Sequence, residues 1–504
     1  MSEYKWMKTD TAAIMFTAIQ NKNSSRVFRV SFVLKGEDID EQILKRAVTE
    51  ILPRFPYFCV TFKKGLFWGY FEHTDVLPEI KEESQYPAAV QWYGKNGGPE
   101  FRILYYKRRI CVEIAHMLTD GTGALDFAKA IVSHYLKLKS KFDFVSDKIK
   151  TPEQDVSCEE WENAYKRYYS GEKAIKDEPF DSTYKLPLNP ENGYMKAVFG
   201  LMPIEDVKER CKEYRLTITE YLAAAEILAI IKNAKEPVDE IIRLSVPINF
   251  RNFFPTKTMR NFAGDTTLSF YPEKRTDFTL SEISNNIKGQ LKTNVDKAYV
   301  QNFINKTFSQ TINPLNRIVP FPIKQTVVNA SQKKSHRETM TLILTNLGIA
   351  DLPEEISDKI ERVDFVGGDV SLYGLSLISS VISHNGFLNI CFSHNNRDTS
   401  LCKEFFRVLS NDGIRIRVES SDENGFDEKQ KNESGKRCPL CGVDLGEEYT
   451  VCPLCKGKAK NEDKKIHGFK TAPYPTVFEK TDNSSVKVKN SPLSFEKTKA
   501  YFNI

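Results

Sequence analysis

The sequence from residue 115 to residue 121 reads Ala115-His116-Met117-Leu118-Thr119-Asp120-Gly121. It follows a predicted strand (109–115) and precedes an amphipathic helix predicted to begin near Gly123. A histidine where a strand ends, followed by a turn containing Asp and Gly, can present its imidazole into a cleft. Imidazole titrates near neutral pH, so His116 could take a proton from an attacking hydroxyl or amine. Asp120 could orient the loop or the ring. The alternative is a structural histidine beside a helix-capping aspartate.

Strands and helices alternate irregularly on both sides of this motif. Before it, the hydrophobic pattern predicts a helix from about Asp40 that Pro53 closes, and strands at 26–34, 57–62, 66–71 and 101–106. After it, residues 140–190 form a bridging segment with a short helix near 159–169. The second half has predicted helices at 203–214, 217–231 (begun by a Thr217/Glu220 capping box) and 401–409, and strands at 195–201, 242–247, 265–271, 340–345, 376–384, 387–394 and 414–418. Several strand pairs are spaced as hairpins, which favours an α/β fold with mixed sheets in two lobes.

Bulk composition excludes several classes of protein. A chain of 504 residues indicates two or three structural units. The net charge of +5 is spread along the chain, which argues against a nucleic-acid partner but is compatible with an anionic ligand. The N-terminus has no secretory signal pattern, and no window approaches the roughly 18 apolar residues needed to span a membrane. Six scattered cysteines fit a reducing cytoplasm.

The segments around the motif resemble the chloramphenicol acetyltransferase-like superfamily, which includes condensation domains and alcohol acetyltransferases. Besides His-x-x-x-Asp-Gly (116–121), similar blocks occur in the family's order. These are Arg-Phe-Pro at 54–56, Leu-Thr-Ile-Thr-Glu at 216–220, Val-Pro-Ile-Asn-Phe-Arg at 246–251 with Arg-Asn-Phe at 260–262, and Thr-Asn-Leu-Gly at 345–348. Ala115 stands where peptide-forming condensation domains usually carry a second histidine, and no carrier-protein motif accompanies it. Both points favour a stand-alone acyltransferase resembling the alcohol acetyltransferases. The plant-type Asp-Phe-Gly-Trp-Gly block is also absent, which disfavours that branch.

The resemblance implies a two-lobed fold with the active site in a tunnel between the lobes. His116 would be the general base for direct transfer of an acyl group, acetyl in the simplest case, from an acyl-CoA co-substrate to an alcohol or amine, without a covalent acyl-enzyme. Asp120 would be structural and pair with Arg251. Gly121 would allow close backbone approach at the turn. The candidates for binding the oxyanion are Asn249, Thr345 and Asn346.

A cysteine repeat lies near the C-terminus, where ten residues separate the pair Cys438 and Cys441 from the pair Cys452 and Cys455. Two Cys-x-x-Cys turns can supply the four thiolates of a tetrahedral zinc site, which leaves no open position and therefore predicts a structural metal. The alternatives are a redox dithiol, which lacks the surrounding βαβ pattern, or free surface thiols. The metal would supply the folding energy of so small a unit.

The expected organisation follows from these assignments. It comprises an N-terminal acyltransferase lobe with the motif and the bridging segment (1–190), a C-terminal lobe (191–420), a flexible linker (421–436), a zinc ribbon (437–460) and a tail (461–504). The rival hypothesis is a catalytically inactive binding or scaffold protein of the same fold, with the ribbon contacting protein or nucleic acid. A nucleic-acid-binding protein led by the ribbon is a third possibility, disfavoured because no basic cluster lies beside the cysteines.

Overall fold

The computed structural model describes residues 5–19, 27–83, 87–88, 97–144, 146–175, 182–187, 195–368, 370, 374–396, 398–421, 477–480 and 486–489. The strands are β1 (Trp6–Lys8), β2 (Val27–Leu34), β3 (Val60–Lys64), β4 (Gly69–His73), β5 (Glu79–Glu82), β6 (Phe101–Tyr106), β7 (Arg109–Ala115), β8 (Lys196–Pro203), β9 (Ile242–Asn249), β10 (Ala263–Phe270), β11 (Leu342–Ile349), β12 (Ile360–Val366), β13 (Leu377–His384), β14 (Phe387–His394), β15 (Arg417–Ser420), β16 (Val477–Lys480) and β17 (Val486–Lys489).

The α-helices are α1 (Thr11–Ile19), α2 (Glu41–Ile51), α3 (Gly121–Ser140), α4 (Ala164–Tyr168), α5 (Ile204–Tyr214), α6 (Ile218–Asn233), α7 (Leu280–Ile287), α8 (Gln290–Asn294), α9 (Lys297–Ile312), α10 (Pro314–Ile318), α11 (Phe321–Thr339), α12 (Glu354–Ser357) and α13 (Ser400–Asn411). Short 3₁₀ helices occupy Leu52–Arg54, Cys158–Trp161 and Phe250–Asn252. None of the helices within the described ranges is both long enough and apolar enough to cross a membrane.

A five-stranded sheet has the order β12-β2-β7-β6-β5, and the His116 segment follows the end of its middle strand, β7. Its pairs are antiparallel except for β5 with β6. Helices α2 and α3 pack on this sheet because each has one apolar face; in α2 that face is Leu44, Ala47, Val48 and Ile51. The Asp40 side chain accepts hydrogen bonds from two main-chain amides and so begins α2 where the sequence predicts.

A seven-stranded sheet follows the order β10-β9-β11-β13-β14-β8-β15. Strand β11 is parallel to both of its neighbours and the other pairs are antiparallel, so this sheet is mixed, as the hairpin spacing predicts. Helix α6 packs on it with nearly every side chain buried. Thr217 and Glu220 form the predicted capping box at its N-terminus.

Strand β12 joins the two halves of the chain. It lies in the second half but pairs with β2 at the edge of the five-stranded sheet, with Val363 opposite Phe32. On the same strand, Arg362 forms a buried ion pair at 2.6 Å with Glu419 of β15 in the other sheet. A strand from the second half of the chain thus completes the first sheet, and a buried charge pair links that strand to the other sheet. The boundary expected near residue 190 stays a prediction.

The structure corrects several predicted elements. Five helices, α7 to α11, occupy the region between β10 and β11 for which the hydrophobic pattern predicts nothing. Their sequences are rich in Asn, Gln, Ser, Thr and Lys, and α9 buries few apolar side chains, chiefly Val300 and Ile304. The strands predicted at 57–62 and 66–71 lie a few residues later, because Phe55 and Phe58 are drawn into the core before β3 begins. The last of the predicted strands, β15, likewise begins at Arg417, three residues after its predicted start.

Candidate active site

His116 lies at the junction between the five-stranded sheet and α3. It directly follows β7, and its side chain is half-buried. The main-chain amide of Ala115 donates to the Glu100 oxygen at 2.9 Å, so β7 stays paired up to the histidine. The loop that follows ends four residues later at Asp120, the N-cap of α3. Both ends of the His116 segment are therefore anchored by regular structure.

Asn261 holds the imidazole of His116. Their Nδ1 and Oδ1 atoms lie 3.1 Å apart. The orientation of the Asn261 amide follows from its Nδ2, which faces two acceptors: the His116 main-chain oxygen at 3.0 Å and Asp10 Oδ2 at 3.5 Å. An amide oxygen only accepts, so His116 Nδ1 carries the hydrogen. The neutral ring then keeps its lone pair on Nε2, the tautomer that can act as a base there.

Two phenylalanines fix the plane of the His116 ring. Phe16 of α1 stacks on it with centroids 3.8 Å apart and an interplanar angle of 17°. Phe28 of β2 meets it edge to face at 5.0 Å and 67°. These contacts, together with the bond to Asn261, restrict rotation of the ring. Such pre-positioning is what a general base needs.

Asp10 supports Asn261 from the N-terminal segment. Its Oδ1 accepts from the Ala13 amide at 2.7 Å and so caps α1, while Oδ2 lies 3.3 Å from Arg260 Nε. Burial raises the pKa of the Asp10 carboxyl, and the positive charge of Arg260 offsets part of that rise. A chain of polar groups therefore connects α1 to the imidazole, through Asp10, Asn261 and His116 in that order.

Asp120 is a buried cap and a cross-link at once. Its Oδ1 accepts from the Gly123 amide at 3.1 Å, which makes it the N-cap of α3 and starts that helix two residues before the predicted position. Its Oδ2 accepts from the Phe262 amide at 2.9 Å and from Arg251 Nη1 at 2.8 Å. Asp120 therefore forms the ion pair that the family resemblance implies, and it also caps a helix.

The Arg251 guanidinium organises the loop that carries Asn261. Nε and Nη2 donate to the Thr258 oxygen at 3.1 and 3.0 Å, and Nη2 also donates to the Arg260 oxygen at 2.7 Å. With Nη1 on Asp120, one side chain links the loop after β7 to the loop before β10. The relative position of His116 and Asn261 depends on this link.

Glycines allow the loop before α3 to pack closely. A Cβ atom on Gly121 would lie 2.5 Å from Cδ2 of the Leu347 side chain. The close backbone approach occurs at Gly123, where a Cβ would lie 2.3 Å from the Met259 main-chain oxygen and 2.2 Å from Thr119 Oγ1. Only glycine fits at this second position without a shift of main chain.

The three oxyanion candidates differ in what their side chains contact. Asn249 Oδ1 accepts from the Arg251 amide at 3.1 Å, and its Nδ2 donates to Thr122 Oγ1 at 3.3 Å. Asn346 is similarly engaged, because its Nδ2 donates to Thr219 Oγ1 at 3.1 Å and its Oδ1 accepts from the Gly348 amide at 2.8 Å.

Thr345 is half-buried and lies opposite Ser380 of β13. Its hydroxyl has no hydrogen bond to another residue of the described part of the chain, which distinguishes it from the two asparagines.

A cavity of about 360 Å³ lies elsewhere, along the second half of α3. It is lined by Ala130, His134, Lys137 and residues of the bridging segment between 143 and 154. None of the predicted site residues contributes to it, so its position gives no support to a role in the His116 site. Its lining of mixed charge also gives it no evident ligand.

Sequence reasoning missed three residues around His116. Asn261 lies within the Arg-Asn-Phe block that carries the family resemblance, but no role was assigned to it. Phe16 and Asp10 lie in an N-terminal segment where no element was predicted. A helix-capping pattern (Asp10 followed by Thr-Ala-Ala) was the available signal for α1.

The predicted zinc ligands Cys438, Cys441, Cys452 and Cys455 lie outside the described residues, as do the linker beyond Ser421 and the ribbon. Within the described residues, no group of three or more His, Cys, Asp or Glu side chains could hold a metal ion. The six cysteines that are described carry free thiols.

Comparison by sequence finds no protein-family model and no curated protein that matches this chain. Comparison with solved structures does find matches. The chain is similar to polyketide synthase associated protein 5 from Mycobacterium tuberculosis, at 13% identity and a TM-score of 0.51, covering 81% of this chain and 98% of the other. It is also similar to F. sporotrichioides TRI101 complexed with coenzyme A and T-2, at 9% identity and a TM-score of 0.52, covering 82% and 99%.

A third similar structure is the starter condensation domain of rhizomide synthetase, in a mutant form complexed with C8-CoA and Leu-SNAC. The identity is 12%, the TM-score 0.50, and the match covers 80% of this chain and 93% of the other. At these identities the likeness concerns the fold. This chain therefore has the mixed α/β, chloramphenicol acetyltransferase-like fold that condensation domains share.

Proposed function

We propose that this protein is an acyltransferase that moves an acyl group, with acetyl the first to test, from a CoA thioester to an alcohol or an amine. The observation that carries the proposal is the bond between His116 Nδ1 and Asn261 Oδ1, because it selects the tautomer with a basic Nε2. Stacking on Phe16 holds the same ring in plane, so both the tautomer and the orientation of the imidazole suit a general base.

The ligands of the structural neighbours support the choice of co-substrate. The TRI101 structure contains coenzyme A together with T-2, and the rhizomide synthetase domain contains C8-CoA together with Leu-SNAC. In both, a CoA species and a second molecule are bound to the fold that this chain shares. We therefore take acyl-CoA as the donor and leave the acceptor to be identified by assay.

The proposed reaction is a direct displacement at the thioester carbonyl. His116 Nε2 takes the proton of the acceptor hydroxyl or amine while the acceptor atom forms a bond to the carbonyl carbon. The carbonyl electron pair moves to oxygen and gives a tetrahedral intermediate. When this intermediate collapses, the carbon–sulfur bond breaks, and the leaving sulfur takes the proton from the His116 imidazolium to give free CoA thiol.

The developing oxyanion needs a hydrogen-bond donor. Asn249 and Asn346 already use their amides in contacts that shape β9 and β11. We therefore assign the oxyanion contact to the Thr345 hydroxyl. Thr345→Val keeps the shape of the side chain and removes the hydroxyl, so it should lower kcat while leaving folding intact.

The described cysteines favour transfer without a covalent acyl-enzyme. A nucleophilic cysteine needs a lowered pKa, yet burial raises the pKa of the Cys59, Cys211 and Cys402 thiols to about 12. At neutral pH these three thiols are protonated, so none of them is an activated nucleophile. This supports a mechanism in which the acceptor attacks the thioester itself.

The decisive experiment measures thiol release from acetyl-CoA by the purified protein in the presence of varied alcohols and amines. We expect acceptor-dependent release, and a loss of about 100- to 10,000-fold in His116→Ala, the usual contribution of a general base. The matched control is His73→Ala, which removes a histidine whose Nε2 lies 3.3 Å from exposed Asp75. It should retain full activity.

An absence of acceptor-dependent thiol release with acetyl-CoA and longer acyl-CoAs would contradict the proposal. Equal activity of His116→Ala and the parent protein would contradict the role of the histidine alone. The first result would favour the rival hypothesis of a non-catalytic binding protein, whereas the second would leave an acyltransferase whose base is a group other than His116.

We also propose that Cys438, Cys441, Cys452 and Cys455 hold a structural zinc ion, as their spacing indicates. Such a ribbon could contact a partner protein, and free thiols elsewhere in the chain support a reducing compartment such as the cytoplasm. The protein should copurify with about one zinc ion per chain, and Cys438→Ser/Cys441→Ser should abolish that content. Cys158→Ser, which changes an exposed free cysteine, is the control. Unchanged zinc content in the double variant would contradict the assignment.

A further inference from the structure

Five large apolar side chains are exposed on two segments that lie against each other. They belong to the β3–β4 turn and to the region from α10 to α11, and we call them the apolar patch: Leu66 (70% exposed), Phe67 (39%), Ile318 (69%), Ile323 (55%) and Val327 (60%). Twelve large hydrophobic side chains are exposed in the described part of the chain, so nearly half of them fall in these two segments. Scattered exposure is ordinary, but a cluster indicates an interaction surface.

Direct contacts make the two segments one surface. The Phe321 amide donates to the Leu66 oxygen at 2.8 Å. Lys324 Nζ donates to the Phe67 oxygen at 2.9 Å and lies 3.5 Å from the centroid of the Trp68 ring. The start of α11 is thus fixed on the β3–β4 turn, and the apolar patch has a defined shape.

Two side chains of the apolar patch share one face of α11. Ile323 and Val327 are four residues apart, so they project from the same side of the helix on successive turns. Both are more than half exposed. These two side chains, next to Trp68 and Lys324, give the first half of α11 a short exposed apolar face.

Both segments carry a net positive charge. Residues 60–72 contain two lysines and one glutamate, and residues 314–339 contain five Lys or Arg and one glutamate. The chain as a whole is nearly balanced, with 72 basic and 67 acidic residues. The exposed Lys64 directly precedes the turn, and Lys63 pairs at 3.5 Å with Glu72 of β4. Positive charge around an apolar surface complements a lipid surface with anionic headgroups.

We propose that the apolar patch docks this protein onto an anionic lipid surface. The apolar side chains would enter the boundary between headgroups and acyl chains, and the exposed Lys64 would contact the anionic headgroups. The proposal does not depend on the acyltransferase reaction.

The test is cosedimentation of the full-length protein with phosphatidylcholine vesicles, with and without phosphatidylserine. We expect binding to the anionic vesicles that added salt weakens. Ile323→Glu/Val327→Glu should reduce the bound fraction about tenfold, because it places two negative charges in the docking face. Lys64→Gln should give a smaller loss. Circular dichroism and thermal midpoints verify that each variant is folded.

The matched control is Ile175→Glu, the same change at an exposed isoleucine outside the apolar patch. It should bind like the parent protein. The proposal is overturned if the parent protein does not cosediment, if binding is equal with and without phosphatidylserine, or if Ile175→Glu loses as much binding as the patch variant. Self-association without vesicles that Ile323→Glu/Val327→Glu abolishes would also overturn it, since a second copy would then occupy the surface.

Discussion

Asn261 holds His116 by both its ring and its main chain. Its Oδ1 lies 3.1 Å from the ring Nδ1, and its Nδ2 donates to the His116 oxygen at 3.0 Å. The two residues come from different halves of the chain, one after β7 and one before β10. The orientation of the imidazole is therefore a product of the assembly of the two sheets, and not of the local loop.

The first prediction concerns this contact. Asn261→Ala removes the group that fixes the His116 tautomer, at a cost of about 1–3 kcal/mol for the lost hydrogen bonds. We expect kcat to fall about ten- to a hundredfold, with little change in KM for acyl-CoA. Steady-state kinetics measures this split. Asn252→Ala, at an exposed position of the same loop, should leave both constants unchanged; a loss confined to KM would contradict the positioning role.

The second prediction concerns the Asp120–Arg251 ion pair, which is nearly buried. Arg251→Ala leaves the Asp120 carboxylate without its cation and removes the bonds to Thr258 and Arg260, so it should lower the free energy of unfolding by about 3–5 kcal/mol. Urea denaturation measures the change. Arg210→Ala, which breaks an ion pair with the more exposed Glu213, should have little effect.

Equal losses for Arg251→Ala and Arg210→Ala would show that the Asp120–Arg251 pair has no special weight. The kcat of Arg251→Ala, measured at a low temperature where the variant is still folded, separates a positioning role of Arg251 from a purely structural one. A positioning role predicts a reduced kcat in molecules that are still folded, whereas a purely structural role predicts normal kcat in that fraction.

Much of this architecture could be predicted from the sequence, because one apolar face is required of each element that packs on a sheet. Helix α2 follows this rule closely. Helix α6 and the hairpin of β13 and β14 are buried on nearly every side and are predicted from their apolar content instead. These patterns are local, and the motif with the family blocks then indicates a two-lobed fold and the pairing of Asp120 with Arg251.

The rest depends on contacts between distant residues. Helix α9 and the described side chains of α11 contribute little to the core, so their sequences lack a regular apolar period. Strand β12 joins the first sheet by a pairing about 330 residues apart in sequence, as Val363 with Phe32 shows. The role of Asn261 has the same origin. An asparagine in a loop carries no sign of its partner, and only the assembled sheets place it beside His116.

The third prediction concerns Glu226, which is a buried residue of α6, the helix that packs on the seven-stranded sheet. Burial raises the pKa of its carboxyl from 4.5 to about 8, although the nearby Ser379 hydroxyl offsets part of that rise. Below pH 4.5 both folded and unfolded chains hold the proton. Between 4.5 and 8 only the folded chain does, so stability falls as pH rises, by about 1.4 kcal/mol per pH unit from this group.

Glu226→Gln removes that dependence. The stability of the variant relative to the parent should therefore rise between about pH 5 and about pH 7.5, as urea denaturation at both values would measure. Glu209→Gln, at an exposed position, serves as the control and should show no such change. A difference between parent and Glu226→Gln that stays constant with pH would mean that the carboxyl ionises normally in the folded protein.

The fourth prediction compares two glycines in the first turn of α3. Alanine favours a helix over glycine by about 1 kcal/mol at either position, so the difference between the two variants isolates packing. At Gly121 the new methyl meets only the end of the Leu347 side chain, which can rotate away. At Gly123 it meets the Met259 main-chain oxygen at 2.3 Å, and that oxygen is already held by the Thr119 hydroxyl. Gly123→Ala should therefore be less stable than Gly121→Ala by about 1–3 kcal/mol and should displace the loop that carries Asn261, with a matching loss of activity. Equal stability of the two variants would mean that the loop before β10 can move away from α3, and that the position of His116 does not depend on this contact.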